Sequence, residues 1–319
     1  MTSLLIGSIS LATVFLFGSI GEIITEKAGH LNLGIPGIMC VGTAGGCLGV
    51  SMYMNACSGN ANWFLLIIIA LLFDFLFAAI TGGIYALLTV SMHCNQNITG
   101  LAITTFGVGF TQFFIDTYVD RTYFDAASKI ISASLPFAKN LGWFGEVFLS
   151  YGFFVYFAIL VAVVTTIILN KTKVGLHLRA VGENPATADA AGINVTLYKY
   201  IAILVGSGIA GLGGMFYILD YIGGSWENAT TIEALGWLSV ALVIFSMWKP
   251  HFSIIGSIVF ACFYILAFKI TGITFTQMAL LKLLPYIITI IVLIITSITG
   301  HKSAQPPASL GLNYFREER

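Results

Sequence analysis

Val147–Asn170, VFLSYGFFVYFAILVAVVTTIILN, runs for 24 residues without one charged side chain. A helix needs ~20 apolar residues to cross the hydrocarbon core of a bilayer, so this run is long enough to span. Its apolar residues are continuous rather than alternating, which excludes a strand of a membrane β-barrel. Runs of the same kind recur on both sides of it. Upstream are Leu4–Gly21, the short and Gly-rich Ile35–Ser51, Trp63–Met92 with the single acid Asp74, and Ile98–Ile115. Downstream are Tyr200–Leu219, Ala234–Trp248, Phe252–Phe268 and Leu283–Gly300. The pattern predicts an all-α, polytopic membrane helix bundle of about nine transmembrane helices in one domain, residues 1–319.

Composition agrees. Of 319 residues, 58% are hydrophobic and 9% charged, against about 25% charged in a soluble domain. Too little charge is present to coat a water-exposed surface, so a soluble enzyme is excluded. Lysine plus arginine equals aspartate plus glutamate, 14 each, leaving no basic excess to neutralise nucleic-acid phosphates. The five cysteines show no CxxC spacing and the five histidines are scattered singly, so no metal or redox site is expected. The N-terminal stretch lacks a basic region and a cleavage site, and reads as a first span rather than a signal peptide.

Lysine and arginine collect in cytoplasmic loops of membrane proteins. With the 171–199 loop placed inside, Lys27, Lys171, Lys173, Arg179, Lys199, Lys249, Lys302, Arg316 and Arg319 fall inside, nine in all. Arg121, Lys129, Lys139, Lys269 and Lys282 fall outside, and three of these five lie in the long 116–146 loop. The N-out, C-in orientation follows. The 116–146 outer loop suits an amphipathic segment at the interface, anchored by Trp143 and Phe144. The 171–199 loop is polar, Ala-rich and helix-prone. It reads as a helix–turn–helix on the cytoplasmic face, with Gly182 at the turn, Pro185 in a first helical turn, and Glu183 or Asn184 as its cap.

Catalysis has no visible carrier. No GxxxxGK[ST], no GxSxG and no nucleophile–base set occurs, so an intramembrane enzyme is not supported. Gly206-Ser207-Gly208-Ile209-Ala210-Gly211 matches GxGxxG, but inside an apolar helix. There, together with Gly213 and Gly214, it serves close helix packing rather than a dinucleotide. The 22–37 stretch, EIITEKAGHLNLGIPG, admits two readings: a solvated turn, or broken backbone beside a substrate path, which persists at membrane depth only against protein or a watery cavity. Asn32, Asn95, Gln96, Thr104 and Thr105 are neutral hydrogen-bonding groups suited to a polar, uncharged solute. For the amides near Asn97 the alternative is helix capping. Asp74 sits near mid-membrane, where an acid suggests function. A proton-coupled secondary transporter using it is the rival reading.

Gly21-Glu22-Ile23-Ile24-Thr25-Glu26-Lys27-Ala28-Gly29-His30-Leu31-Asn32-Leu33-Gly34-Ile35 resembles the opening signature of permeases of the ribose, branched-chain amino acid and nucleoside ABC importers, closest to the nucleoside branch. Thr172-x-x-Gly175-x-x-x-Arg179-Ala180-x-Gly182-Glu183-Asn184-Pro185-x-x-Ala188 resembles that family's cytoplasmic coupling segment. Asn95-Gln96-x-Ile98-x-Gly100 and the tail Pro306-Pro307-Ala308-Ser309-Leu310-Gly311 are supporting matches, so the resemblance covers nearly the whole chain in order. It implies a type II ABC importer permease fold in the bacterial cytoplasmic membrane. It further implies a second permease chain, commonly a different one, a separate ABC ATPase subunit carrying ATP and Mg, and an extracellular solute-binding lipoprotein. The chain itself binds no cofactor. Relatives of the ribose type carry an extra leading helix; its absence here agrees with the N-out count. Asp74 departs from the small residue expected there. Within this resemblance, Arg179, Gly182, Glu183, Asn184, Ala188 and Gly192 are the expected ATPase-docking residues, and the solute is expected to be a nucleoside, with ribose, galactose or a branched-chain amino acid as alternatives.

Overall fold

A computed structural model describes residues 2–134, 142–270, 272, 274–299 and 305–315. Lys139, Lys302, Arg316 and Arg319 of the charge count, the 135–141 part of the 116–146 loop, and Gly300 at the end of the last expected span lie outside the described residues. All regular structure among those described is helical.

The helices are α1 Thr2–Lys27, α2 Ile35–Ala56, α3 Trp63–Ala86, α4 Gln96–Tyr118, α5 Phe124–Ile131, α6 Gly142–Phe148, α7 Phe153–Lys171, α8 Lys173–Glu183, α9 Pro185–Ala190, α10 Val195–Phe216, α11 Ala229–Phe245, α12 Pro250–Lys269, α13 Phe275–Lys282 and α14 Leu284–Thr299. Single π-helical turns, Leu87–Ser91 and Tyr217–Tyr221, extend α3 and α10. Eight stretches are long and apolar enough to cross a membrane. The ninth apolar element, α11, is shorter, at 17 residues.

Several boundaries differ from the sequence expectation: the Val147–Asn170 run is broken, its first two residues ending α6 and α7 starting only at Phe153, and the Tyr200–Leu219 span starts earlier, at Val195. At two further boundaries hydrogen bonds give the physical reason. The first span does not stop at Gly21. Helix α1 continues through Glu22 and Glu26 because both acids are buried with hydrogen-bond donors: Glu22 accepts from the Asn32 amide at 3.0 Å and Glu26 from the Trp248 indole. Helix α11 starts at Ala229 rather than Ala234, since the Asn228 side chain caps it by accepting from the Thr231 amide.

Helices α1, α2 and α10 form the interior. α1 packs on α10, α11 and α12, and α2 on α3, α4 and α10. Small residues make this possible. A Cβ on Gly21 would collide with the Gly206 carbonyl and one on Gly206 with the Gly21 carbonyl, so α1 and α10 cross backbone against backbone. The other glycines of the α10 run face α1, α2 and α3 in the same way: Gly213 meets the Val14 carbonyl, Gly214 Thr43, and Gly208 the Phe75 ring. The glycine run is therefore a packing surface. α14 lies at the periphery and exposes Ile290, Leu293, Ile294 and Ile298, an apolar face suited to lipid. In the 116–146 loop, α5 buries Phe124, Ala127 and Ile131, while α6 exposes Trp143 and Phe144.

Candidate transport and docking sites

The stretch expected to be irregular over 22–37 contracts to residues 28–34, between α1 and α2. Its backbone is broken and mostly buried, so its amides and carbonyls need partners that no helix supplies. Beside Glu22 of α1, which accepts from the Asn32 amide, side chains of α3, of α4 and of the stretch itself provide them. The Leu31 amide donates to Gln96 Oε1 at 2.9 Å, and the Leu31 carbonyl accepts from the Tyr85 hydroxyl at 2.7 Å. The Leu33 carbonyl accepts from Thr104 Oγ1 at 2.8 Å, and Asn32 Oδ1 accepts from the Gly34 amide at 3.0 Å. A buried group left unpaired costs about 1–3 kcal/mol, so these bonds fix the course of the chain here.

Of the five polar residues expected along a substrate path, the structure brings Asn32, Gln96 and Thr104 together, as holders of this buried stretch. Asn95 and Thr105 stand apart on the exposed side of α4. Asn95 caps that helix by accepting from the Ile98 amide, and Thr105 bonds back to the Leu101 carbonyl. The cap in this region is thus Asn95, not Asn97. Tyr85 was missed by sequence reasoning. It lies in an apolar run, and only its length places the hydroxyl against Leu31.

The second polar region is α8–α9. Asn184, with ψ near 95°, makes the break between the two helices and caps α9 by accepting from the Thr187 amide at 3.0 Å, with Pro185 in the first turn. Gly182 does not form the turn. It lies inside α8, where a Cβ would strike the Lys27 carbonyl at the end of α1. Its role is close approach. Ala188 also points inward, buried against Val181 and Val195. Arg179 is half-buried, its Nε without a partner. Glu183, Asn184 and Gly192 are exposed, together with Ala186, Ala190 and Ala191. The exposed small-residue tip is therefore formed by Ala190, Ala191 and Gly192, while Gly182 and Ala188 support it from within.

The two regions are laced together by residues 305–315. The Ser309 amide donates to the Gly182 carbonyl at 3.1 Å and the Gly311 amide to the Gly29 carbonyl at 3.2 Å. The Ala308 amide donates to Glu183, and the Tyr314 hydroxyl to Asp189 at 2.8 Å. Asn313 donates to the His93 carbonyl at 2.7 Å and accepts from Gln96 Nε2 at 3.2 Å. One strand of backbone thus touches α8, α9, the 28–34 stretch and the turn before α4. The Pro306-Pro307 pair, which cannot continue a helix, is the sequence signal for a non-helical segment here, which turns at 308–311.

Asp74 is buried on α3, its carboxylate oxygens without a hydrogen-bond partner. They lie beside Gly42 of α2 and Gly211 of α10. The two ion pairs among the described residues, Arg121–Asp116 and Lys129–Asp125, are elsewhere. Among the described residues no group of histidine, cysteine and acid side chains is arranged to hold a metal.

Residues 4–293 match the family described as branched-chain amino acid transport system, permease component. The nucleoside ABC transporter permease protein NupC of Lactococcus lactis is 30% identical over 96% of this chain and 95% of its own length. A putative glucose ABC transporter permease protein of Haloferax volcanii is 32% identical over 81% of this chain and 74% of its own. The guanosine ABC transporter permease protein NupQ of Bacillus subtilis is 27% identical over 97% and 95%. In L. lactis and B. subtilis a second permease protein named for the same solute also matches, more weakly. No solved structure matches the chain.

Proposed function

The chain belongs to the family of branched-chain amino acid transport system permease components, and from that membership we propose that it is one of two different permease subunits of an ATP-driven nucleoside importer in the bacterial cytoplasmic membrane. As a permease component of an ABC transporter it is a multi-pass membrane protein and a transport subunit. ATP and Mg belong to the partner ATPase, and capture of the solute to an extracellular binding lipoprotein. The observation that carries the solute is the likeness, along nearly the full length, to permeases named for nucleosides and guanosine. The relative named for glucose supports a sugar as the second reading. Both solutes are neutral and rich in hydroxyls.

In this reading the α8–α9 end faces the cytoplasm and the N-terminus the outside. The ATPase docks on the exposed tip of Glu183, Asn184, Ala190, Ala191 and Gly192. Its movement reaches the bundle through two contacts: Gly182 against the end of α1, and the 305–315 segment against the 28–34 stretch. The 28–34 stretch closes the inner end of the path, and the exposed face of α4, with Asn95 and Thr105, lines it against the second subunit. Affinity resides in the binding protein, since tight binding in the path would slow release.

Uptake of labelled nucleoside by cells carrying the chain with its partners tests the reading. Competition by unlabelled nucleosides and indifference to anionic sugar phosphates are expected. Competition by glucose but not by nucleosides transfers the assignment to sugars. Uptake that survives ATP depletion and collapses with an uncoupler overturns the ATP-driven reading in favour of proton coupling through Asp74.

A further inference from the structure

A polar cavity of about 590 Å³ opens at the α8–α9 end, walled by the 28–34 stretch, the end of α3, the α9–α10 turn and the 305–315 segment. Two titratable groups on its wall stand out: His30, whose ring nitrogens are buried without partners, and Lys199, a largely buried cation. Lys199, one turn into α10, is 3% exposed. Among the described residues no carboxylate forms an ion pair with it, the two ion pairs being those of Arg121 and Lys129. His30 is 1% exposed, and neither ring nitrogen has a hydrogen-bond partner. Burial beside Lys199 lowers the His30 pKa to about 3, so its ring is neutral with one N–H to donate. A cation carried on a largely buried side chain is costly without a counter-charge, and an anion in the cavity would supply one.

The cavity also takes in the start of α10. Asn194 caps that helix and Val195 and Thr196 form its first turn, and all three line the cavity. The first amides of a 22-residue helix carry partial positive charge directed at whatever sits before them. Asp189, also on the wall, is engaged by the Tyr314 hydroxyl.

We propose that this cavity binds a phosphate-bearing anion, held by the Lys199 ammonium, the His30 ring and the first turn of α10. The site goes beyond solute transport, since the proposed solute is neutral. Its position gives it a consequence. Its walls belong to the 28–34 stretch, the α9–α10 turn and the 305–315 segment, so a bound anion cross-links the docking end to the inner end of the path. Occupancy restrains relative movement of these parts.

The test uses the full chain in nanodiscs of zwitterionic phosphatidylcholine, titrated with inorganic phosphate and with a nucleoside monophosphate at fixed ionic strength. Calorimetry and thermal unfolding are read. Saturable binding that raises Tm is expected. Lys199→Met should weaken it about tenfold or more, as loss of a charge-assisted bond does. Lys199→Arg should retain it, and His30→Gln should weaken it by a smaller factor. A second set of nanodiscs contains phosphatidylglycerol without added phosphate. Stabilisation there that depends on Lys199 identifies a lipid headgroup as the source of the anion. No saturable effect in either set, or an equal effect in wild type, Lys199→Met and His30→Gln, overturns the site. Because binding is read without transport, its failure leaves the importer reading untouched.

Discussion

Two non-spanning segments lie at the same end of the bundle and use their polar groups in opposite directions. The 28–34 stretch has no regular structure. It turns its backbone inward and is satisfied by Glu22, Tyr85, Gln96 and Thr104. The α8–α9 segment satisfies its own backbone by helix and cap, through Thr172 and Asn184, and so keeps an outer face free. Irregular backbone at depth has to be held by its neighbours, whereas helical backbone leaves its surface available to a partner. The first segment is suited to closing a path and the second to receiving a push. Gly182 and residues 308–314 join them.

The most damaging way to break this pairing is Gly182→Trp. An indole cannot fit where even a Cβ meets the Lys27 carbonyl, and overpacking of this kind costs about 1–3 kcal/mol or more. Loss of folded protein from membranes, or assembled protein without uptake, is expected from quantitative immunoblots and transport assays. Full yield with normal uptake would show that the two segments act separately.

Ala190→Arg separates docking from packing, because Ala190 is exposed whereas Ala188 is buried. The variant should insert and keep its Tm, yet lose co-purification of the ATPase and lose uptake. Retained ATPase would remove the tip from the docking surface.

Gln96→Leu attacks the other segment. It strips the Leu31 amide and Asn313 of their partner and should cost about 1–3 kcal/mol. The expected reading is a lower Tm with ATPase association intact. An unchanged Tm would mean that the stretch does not rely on this bond.

His30 supplies a pH signature of the same stretch. Burial holds its pKa at about 3 in the fold, against the ordinary histidine value of 6.5 in the unfolded chain. Above pH 6.5 both states are neutral and the group contributes nothing. Below it the unfolded chain takes up a proton that the folded chain refuses, so stability falls as pH falls from 6.5 toward 3. His30→Gln should flatten this part of the Tm–pH curve in phosphate-free buffer. An identical slope in both proteins would assign the loss to other groups.

The smallest effect is expected at Asp74. It lies on α3 beside the glycines of α2 and α10, its carboxylate without a hydrogen-bond partner. Asp74→Asn should leave uptake within about twofold and ATP-driven, with a Tm equal to or above wild type, since an unpartnered buried carboxyl is itself a cost. Loss of uptake with intact ATPase association would make Asp74 part of transport.

Much of this was legible in the sequence. Charge-free runs such as Val147–Asn170 settled the fold class, because a bilayer demands length and apolarity and little else. The glycine run of α10 announced close packing, and the 172–188 pattern marked a short helical pair. The residues expected along a solute path were less legible. Asn32, Gln96 and Thr104 have the chemistry of a path, yet they are spent on the backbone of 28–34, and no spacing reveals which neighbour a side chain will find.

The sequence by itself determined that the chain is a polytopic helical membrane protein with a short helical pair within its 171–199 loop, since both follow from local periodicity and composition. Tertiary structure alone decided that Gly182 is a contact rather than a turn, and that Ala188 faces inward. It alone also placed Lys199, counted as a loop charge, inside the protein beside His30, 169 residues away along the chain. Such outcomes depend on which surfaces meet when distant helices pack, and that is a property of the assembled bundle rather than of any stretch within it.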